Sequence, residues 1–275
     1  MSGDGKHPAP ASNSPATDQE DQQASPGGRT QTEEETVTLQ VYRYDPDVEA
    51  KRTGSFETFE IPVHEGMTVL DALIEARDEH DSSLTFRHSC RQGVCGSDAF
   101  FVNGKQRLGC KTQISELSKP IRIEPLPHQP VIKDLVVEME GFYERMQAVE
   151  PYFDPDDPPP GELEERKQTR ENREDVKLST RCIWCGACTS SCTIASDEDV
   201  YLGPAAINKG YRFYADDREG DERGKERLEL LTEHDGVFRC QTQFSCTLVC
   251  PQDIPLTEHI QTLKRDATKR DLKFW

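Results

Sequence analysis

The ten cysteines of this 275-residue chain fall into three compact groups, and their spacing constrains the fold more than any other feature. The groups span residues 90–110, 182–192 and 240–250. Residues 1–36 contain no Val, Ile, Leu, Phe, Trp, Tyr or Cys, which does not fit a secretory signal. We therefore predict an intracellular chain, in which thiols stay reduced and cysteines act as metal ligands rather than as disulfides.

The first group has the spacing Cys90-x4-Cys95-x2-Asp98-x11-Cys110. This is the C-x4-C-x2-C…C pattern of plant-type [2Fe–2S] ferredoxins, with Asp98 in the third ligand position. A structural zinc loop is the alternative, but zinc sites favour C-x2-C pairs and this group has none. We predict a [2Fe–2S] cluster bound by these four residues. The alternative for Asp98 is an acidic loop residue that does not bind iron.

The second group, Cys182-x2-Cys185-x2-Cys188-x3-Cys192, has the spacing of bacterial ferredoxins. The third group repeats that spacing when Gln243 takes the place of one cysteine, and the repeat then reads Cys240, Gln243, Cys246 and Cys250. In two-cluster ferredoxins the fourth cysteine of each run binds the other cluster. Crossed ligation therefore divides the seven cysteines into two sets.

The first of these sets has four thiolates, which suit a [4Fe–4S] cluster: Cys182, Cys185, Cys188 and Cys250. The second has three thiolates, which suit a [3Fe–4S] cluster: Cys192, Cys240 and Cys246. Gln243 then stands at the corner that lacks an iron. Two zinc sites are the alternative, but seven cysteines do not divide into two sets of four.

Three regions are predicted from the remaining residues: a disordered polar tail over 1–36, an α+β domain over 37–130 and a helical domain over 131–275. The hydrophobic pattern predicts strands at 37–44, 56–63, 100–102 and 121–123, with a helix over 68–80. It becomes helical from Val131 to Val149 and predicts further helices near 204–215, 223–233 and 256–273. A charged, Pro-rich linker that ends in a solvated helix is predicted over 150–177.

The chain is strongly acidic, with 33 Lys and Arg residues against 51 Asp and Glu residues and a net charge of −18. Binding to nucleic acid needs clustered basic residues that neutralise phosphates. The charge balance therefore argues against a nucleic-acid partner, and also against a cysteine-rich zinc protein that binds one.

Four segments, SCRQGVCGSD, KDLVVEMEGFYERM, RCIWCGAC and GVFRC with CTLVCP, resemble the iron–sulfur subunits of succinate dehydrogenase and fumarate reductase. The resemblance runs from about residue 37 to 273. It implies an N-terminal β-grasp [2Fe–2S] ferredoxin domain followed by an all-α ferredoxin-like domain with [4Fe–4S] and [3Fe–4S] clusters. It also implies that electrons enter from a FAD-bearing flavoprotein subunit that oxidises succinate, and leave to a quinone at a membrane-anchor subunit.

In such a complex the chain is expected to be a peripheral subunit, held at the cytoplasmic face of the cell membrane by the anchor. Asp98 and Arg239 are similar to features of some dehydrogenase subunits, so succinate oxidation is favoured and fumarate reduction is the alternative. No G-x-G-x-x-G fingerprint for a flavin or dinucleotide occurs. We therefore expect no catalytic residues, and no succinate oxidation by the chain alone.

Three positions are placed near the quinone by the resemblance. Thr193 stands where many members have Pro, and Gln241 stands where many dehydrogenases have His. Lys264, fourteen residues after Cys250, keeps the spacing of the family and is expected near the quinone and the [3Fe–4S] cluster. The alternative for Lys264 is a solvated lysine close to a helix C-terminus, which the helix dipole favours.

Overall fold

The computed structural model describes residues 35–158, 161, 164–197 and 201–272. The predicted polar tail over 1–36 lies outside these residues, apart from Glu35 and Thr36. Thr36 already begins the first strand, and the carbonyl of Glu35 accepts a hydrogen bond from the backbone N–H of Val63 at 2.8 Å. The organised chain thus starts slightly earlier than the sequence predicts.

Five strands form a mixed sheet in the order β2-β1-β5-β3-β4. Their bounds are Thr36–Arg43 for β1, Ser55–Pro62 for β2, Ala99–Val102 for β3, Lys105–Leu108 for β4 and Ile121–Glu124 for β5. Strand β1 pairs antiparallel with β2 and parallel with β5. Its alternate residues Val37, Leu39 and Val41 are buried, as the period of two predicts.

One helix, α1 (Val69–Glu75), packs across this sheet and extends through a further turn at Ala76–His80. Thr68 begins the helix with a capping box, in which its hydroxyl accepts from the backbone of Asp71 and the Asp71 carboxylate accepts from the backbone of Thr68. Leu70 and Leu73 lie in the buried core beneath the helix. The helix predicted over 68–80 is confirmed.

The helical pattern predicted from Val131 is wrong for its first part. Val131–Lys133 (β6) and Val136–Val137 (β7) pair as a small antiparallel sheet, and helix α2 begins only at Glu140 (Glu140–Ala148). A short apolar run does not distinguish a strand from a helix, which explains the error. The division of the chain at residue 130 stays a prediction.

The turn between β6 and β7 is fastened to the sheet by Asp134, whose side chain is fully buried. Its carboxylate accepts hydrogen bonds from Arg43 Nε at 3.1 Å, from the backbone of Tyr44 at 3.0 Å and from the backbone of Thr85 at 2.9 Å. The neighbouring Leu135 joins the hydrophobic core of the sheet. Residues 131–137 therefore pack with the first part of the chain.

The rest of the described chain is helical. Its helices are α3 (Arg170–Lys177), α4 (Ala187–Ser190), α5 (Thr193–Asp197), α6 (Gly203–Tyr214), α7 (Asp221–Thr232), α8 (Ser245–Val249) and α9 (Leu256–Leu272). The helices predicted near 204–215, 223–233 and 256–273 correspond to α6, α7 and α9. Residue 273 lies outside the described residues.

A second hydrophobic core lies between α2, α6, α7 and α9, and it includes two thiols, those of Cys188 and Cys246. Its members on these four helices include Phe142, Met146, Ile207, Leu228, Leu231, Ile260 and Leu263. In the part of the chain that the structure describes, none of the helices combines the length and the apolar character needed to cross a bilayer.

Candidate metal centres

The first cysteine loop surrounds Cys90 with backbone donors. Its Sγ accepts hydrogen bonds from the N–H groups of Gln92 and Val94, each at 3.4 Å, and of Cys95 at 3.3 Å. These donors lower the pKa of the Cys90 thiol to about 7. A run of N–H groups pointing at one sulfur suits a thiolate ligand of an iron–sulfur cluster.

Asp98 lies beside Cys110, as a shared ligand role requires. It is 1% exposed, and its Oδ2 accepts from the backbone N–H of Cys110 at 2.6 Å. Its Oδ1 is buried without a hydrogen-bond partner. An orphaned carboxylate oxygen in the protein interior is costly, and an iron ion would satisfy it. Burial and the nearby Asp98 carboxylate raise the pKa of the Cys110 thiol to about 12.

The first loop packs directly on the second and third cysteine groups. Gly96 has a φ of +71°, and a Cβ there would lie 2.8 Å from the Cβ of Cys185. Gln252, next to the third group, donates from Nε2 to the carbonyl of Gly93 at 2.9 Å. Glycine at position 96 therefore allows an approach that any side chain would prevent.

The four thiols predicted to bind a [4Fe–4S] cluster line one cavity. These thiols belong to Cys182, Cys185, Cys188 and Cys250. The other lining residues are mainly apolar and include Phe142, Trp184 and Leu256. Burial raises the pKa of Cys185 to about 12 and raises the pKa of Cys188 as well. We refer to this space as the four-thiol cavity.

The remaining three thiols, of Cys192, Cys240 and Cys246, line a second cavity. Gln243 also lines it, and its Oε1 accepts from Thr193 Oγ1 at 3.0 Å. The structure thus brings together the residues of the predicted three-iron site and the glutamine of its vacant corner. We refer to this space as the three-thiol cavity.

The loops at the two cavities have matching backbones. A short 3-10 turn precedes Cys182 and another precedes Cys240, and the short helices α4 and α8 follow. The residues on either side of Cys185 and of Gln243 all have positive φ angles: +58° at Trp184, +78° at Gly186, +59° at Thr242 and +62° at Phe244. Positive φ is uncommon outside glycine. The match supports the alignment of Gln243 with Cys185.

The residues predicted near the quinone all lie at the three-thiol cavity. Lys264, in the middle of α9, donates from Nζ to the carbonyl of Cys240 at 2.7 Å. Gln241 lines the cavity and is exposed, and Thr193 reaches Gln243 as described above. The bond to Cys240 holds Lys264 against the third group, away from the end of its helix.

Among the described residues, no three His, Cys, Asp or Glu side chains already converge as they would around a single metal ion. The ligands of an iron–sulfur cluster lie further apart, because several irons and bridging sulfides separate them. The fit therefore depends on the donor sets: three thiols with an orphaned carboxylate in the first loop, and four and three thiols around the two cavities.

The sequence did not indicate the hydroxyl groups that lie beside these thiols. Thr257 Oγ1 is 3.6 Å from Cys246 Sγ, and Ser97 Oγ is 3.1 Å from Cys95 Sγ. Ser97 is only two residues from Cys95, so the sequence alone could have suggested this contact. Thr257 comes from the first turn of α9, and no spacing rule links it to Cys246.

Comparison with known families defines the class of protein. Residues 38–144 match the family described as a 2Fe-2S iron-sulfur cluster binding domain, and residues 178–254 match the family described as a 4Fe-4S dicluster domain. The chain is therefore an iron–sulfur protein in which a two-iron domain precedes a dicluster domain. The β-grasp and all-α ferredoxin-like details of the predicted fold are finer than this match.

Two relatives are similar over most of their length. The chain is 39% identical over 232 residues to "Succinate dehydrogenase [ubiquinone] iron-sulfur subunit 1, mitochondrial" of Oryza sativa subsp. japonica, covering 84% of this chain and 82% of the relative. It is 35% identical over 238 residues to the "Fumarate reductase iron-sulfur subunit" of Mycobacterium tuberculosis (strain CDC 1551 / Oshkosh), covering 86% and 95%. The chain belongs to the family of succinate dehydrogenase and fumarate reductase iron–sulfur subunits.

A solved structure, "Mycobacterium smegmatis Sdh1 complex in the apo form", shares the fold with a TM-score of 0.75 and 26% sequence identity. The match covers 86% of this chain and 96% of that chain. The predicted family is confirmed, and with it the prediction that this chain is the iron–sulfur subunit of an oxidoreductase complex.

Proposed function

We propose that this chain passes electrons from a FAD-bearing subunit to a quinone at a membrane-anchor subunit. The observation that carries the proposal is the convergence of three donor sets that the sequence keeps up to 160 residues apart. Iron–sulfur clusters, when bound, accept and release single electrons without any bond change in the protein. The residues of this chain hold, space and insulate them.

We assign the ligands as the sequence predicted. The [2Fe–2S] cluster takes Cys90, Cys95, Asp98 and Cys110, the [4Fe–4S] cluster takes Cys182, Cys185, Cys188 and Cys250, and the [3Fe–4S] cluster takes Cys192, Cys240 and Cys246. The unpartnered oxygen of Asp98 supports the first set. The separate lining of the two cavities supports the other two sets.

The order of electron flow follows from which loops meet. Gly96, in the first loop, packs on Cys185, which lines the four-thiol cavity. Cys188 of that cavity lies near enough to Cys246 of the three-thiol cavity for a charge on one to raise the pKa of the other. These contacts support transfer from the [2Fe–2S] cluster to the [4Fe–4S] cluster and then to the [3Fe–4S] cluster.

The surface around the three-thiol cavity supports an exit to the membrane. Phe244 lines this cavity and is 50% exposed, and Phe238 and Leu248, close to it in sequence, are 54% and 71% exposed. Exposed apolar side chains beside a site can mark a surface for a partner or a membrane. We infer that this face docks on the anchor, so that the chain sits as a peripheral subunit at the cytoplasmic face of the membrane, with Lys264 beside the quinone.

Succinate oxidation is the direction we favour, on the resemblance of Asp98 and Arg239 to dehydrogenase residues. Fumarate reduction is the second candidate, and the similarity to a fumarate reductase subunit is the observation behind it.

One purification tests both candidates. The complex is isolated without oxygen, its subunits are identified by mass, and succinate-to-quinone and quinol-to-fumarate rates are measured on the same sample. We expect a brown complex with a flavoprotein and an anchor and with faster succinate oxidation. Faster fumarate reduction would reverse the direction, and a colourless zinc protein would overturn the proposal.

A further inference from the structure

Two threonine hydroxyls connect the N-terminus of helix α9 to the sulfur of Cys246. The backbone N–H of Thr257 donates to Thr247 Oγ1 at 3.0 Å, and the two hydroxyl oxygens are 2.9 Å apart. Thr257 Oγ1 is 3.6 Å from Cys246 Sγ. Thr257 is 2% exposed, so little water can reach its hydroxyl and compete with these hydrogen bonds.

The direction of each hydrogen bond follows from counting protons. A cysteine that binds a cluster is a thiolate and has no proton, so Thr257 must donate to Cys246. Thr257 has then used its only hydroxyl proton, and its oxygen must accept from Thr247. The oxygen of Thr247 in turn accepts from the backbone of Thr257. Every proton in the relay therefore points toward the sulfur.

The origin of the relay strengthens this polarity. Thr257 is the second residue of α9, so its backbone N–H is one of the donors that have no partner within the helix. This end of a 17-residue helix also carries the positive pole of its dipole. Hydrogen bonds in series polarise one another, which strengthens the last bond to the sulfur.

We propose that the Thr247–Thr257 relay raises the reduction potential of the cluster bound by Cys192, Cys240 and Cys246. The inference rests on the function proposed above. Reduction places one electron on this cluster, received from the neighbouring [4Fe–4S] cluster, and no proton or bond is exchanged. The added negative charge is stabilised by donors that point at the sulfur, so the reduced state gains more than the oxidised state.

The four-thiol cavity provides an internal contrast. Its described lining residues include no serine, threonine or tyrosine, and Leu256 occupies the first position of the same helix. One helix end thus presents a hydrocarbon side chain to one set of thiols and a hydroxyl relay to the other. The relay is directed at a single site.

The experiment is a redox titration of the assembled complex, followed by the electron paramagnetic resonance signal of the oxidised [3Fe–4S] cluster. Thr257→Val keeps the shape of the side chain and removes the hydroxyl, and we expect a lower midpoint potential. Thr247→Val leaves the last donor in place but unpolarised, so its shift should be in the same direction and smaller. Thr257→Ser, which restores the hydroxyl, should titrate near the wild type.

Thr268→Val is the matched control, because Thr268 lies on the same helix and its hydroxyl donates to the carbonyl of Lys264 at 2.8 Å. It should leave the potential unchanged. Electron nuclear double resonance gives a second readout: one exchangeable proton coupled to the cluster should disappear in Thr257→Val and persist in Thr268→Val. If Thr257→Val does not assemble, the half-buried Thr247→Val carries the redox titration: its potential should fall while its coupled proton persists, and an unchanged potential would overturn the relay.

The outcomes separate this inference from the proposed function. A wild-type complex without a [3Fe–4S] signal would overturn the ligand assignment and the relay with it. An intact signal whose potential and proton couplings are the same in Thr257→Val and in the wild type would overturn the relay alone. An equal shift in Thr268→Val would also overturn it, because the effect would then not depend on the bond to Cys246.

Discussion

The two cavities of the helical region share a backbone but differ in what surrounds the sulfur. At the four-thiol cavity, residues 186–190 are buried and the walls are hydrocarbon. At the three-thiol cavity, residues 241–244 are exposed, and an amide and two threonine hydroxyls lie among the thiols. Under the proposed function, the loop conformation fixes where a cluster sits, whereas the neighbouring side chains set how readily it accepts an electron.

Electrostatics gives the difference a direction. Burial raises the pKa of Cys185 and Cys188, so negative charge is disfavoured in the four-thiol cavity; burial also raises the pKa of Cys246, but there the hydroxyls of Thr257 and Thr247 oppose it. Reduction adds negative charge, so an apolar cavity lowers the potential of its cluster. Hydrogen-bond donors and a missing thiolate raise the potential in the three-thiol cavity. Under the proposed function, we therefore expect electrons to run downhill from the four-thiol cavity to the three-thiol cavity.

Removing a cysteine that belongs to one loop but lines the other cavity should have the largest effect. Cys250 follows Cys246 in sequence but lines the four-thiol cavity, and Cys192 follows Cys188 but lines the three-thiol cavity. We expect Cys250→Ala to abolish the [4Fe–4S] signal and Cys192→Ala to abolish the [3Fe–4S] signal. Paramagnetic resonance of the dithionite-reduced and air-oxidised complexes measures both. The reverse assignment would show that ligation is not crossed.

Supplying the missing thiolate should erase the difference between the sites. Gln243→Cys places a sulfur where Cys185 stands in the companion loop, and a neutral amide is a weak iron ligand by comparison. We expect the [3Fe–4S] cluster to become [4Fe–4S], with a lower potential and slower quinone reduction. The oxidised [3Fe–4S] signal should disappear.

The converse variant, Cys185→Gln, is the matched control for that exchange and should leave a three-thiolate site in the apolar cavity. If the oxidised signal persists undiminished in Gln243→Cys, the alignment of the two loops is wrong.

Removing an apolar wall should affect one site only. Phe142 is 3% exposed and lines the four-thiol cavity, so Phe142→Ala should cost about 3–5 kcal/mol of stability. Water that enters the enlarged cavity should raise the potential of the [4Fe–4S] cluster. Phe244, half exposed at the other cavity, is the control, and Phe244→Ala should cost less than about 0.5 kcal/mol. Denaturation midpoints and redox titrations test the pair, and equal costs would contradict it.

Adding a side chain where the first loop contacts Cys185 should have the smallest effect. Gly96→Ala combines a positive φ with a clash against Cys185 and should cost roughly 2–4 kcal/mol. Gly104→Ala has a φ of +78° but open space around it, so roughly 1–2 kcal/mol of strain is expected alone. Transfer from [2Fe–2S] to [4Fe–4S] should slow in Gly96→Ala, while the [3Fe–4S] signal stays intact. Equal transfer rates in the two variants would argue against the contact.

Spacing along the sequence predicted the donor sets because each ligand is one residue in a short loop. The hydrophobic periods of β1 and α1 were also recognisable in the sequence, because each element has a single buried face. The strands at 131–137 were not recognisable, because their short apolar run fits the period of a helix as well as that of a strand. The Thr247–Thr257 relay joins a loop to a helix start, and the orphaned oxygen of Asp98 depends on burial. Both features are visible only in the folded structure.

The carboxylate of Asp134 has a consequence for how the chain is made. It is bonded to Arg43, 91 residues earlier, and both side chains are nearly inaccessible to water. Arg43 also pairs with Glu57 and Asp81, so a nascent chain released only as far as residue 130 would keep these two partners and lack the fully buried one. The sheet is therefore expected to reach its full stability only after the hairpin over 131–137 has left the ribosome. Iron loading of the first loop, which lies on that sheet, is expected to follow the synthesis of about half the chain.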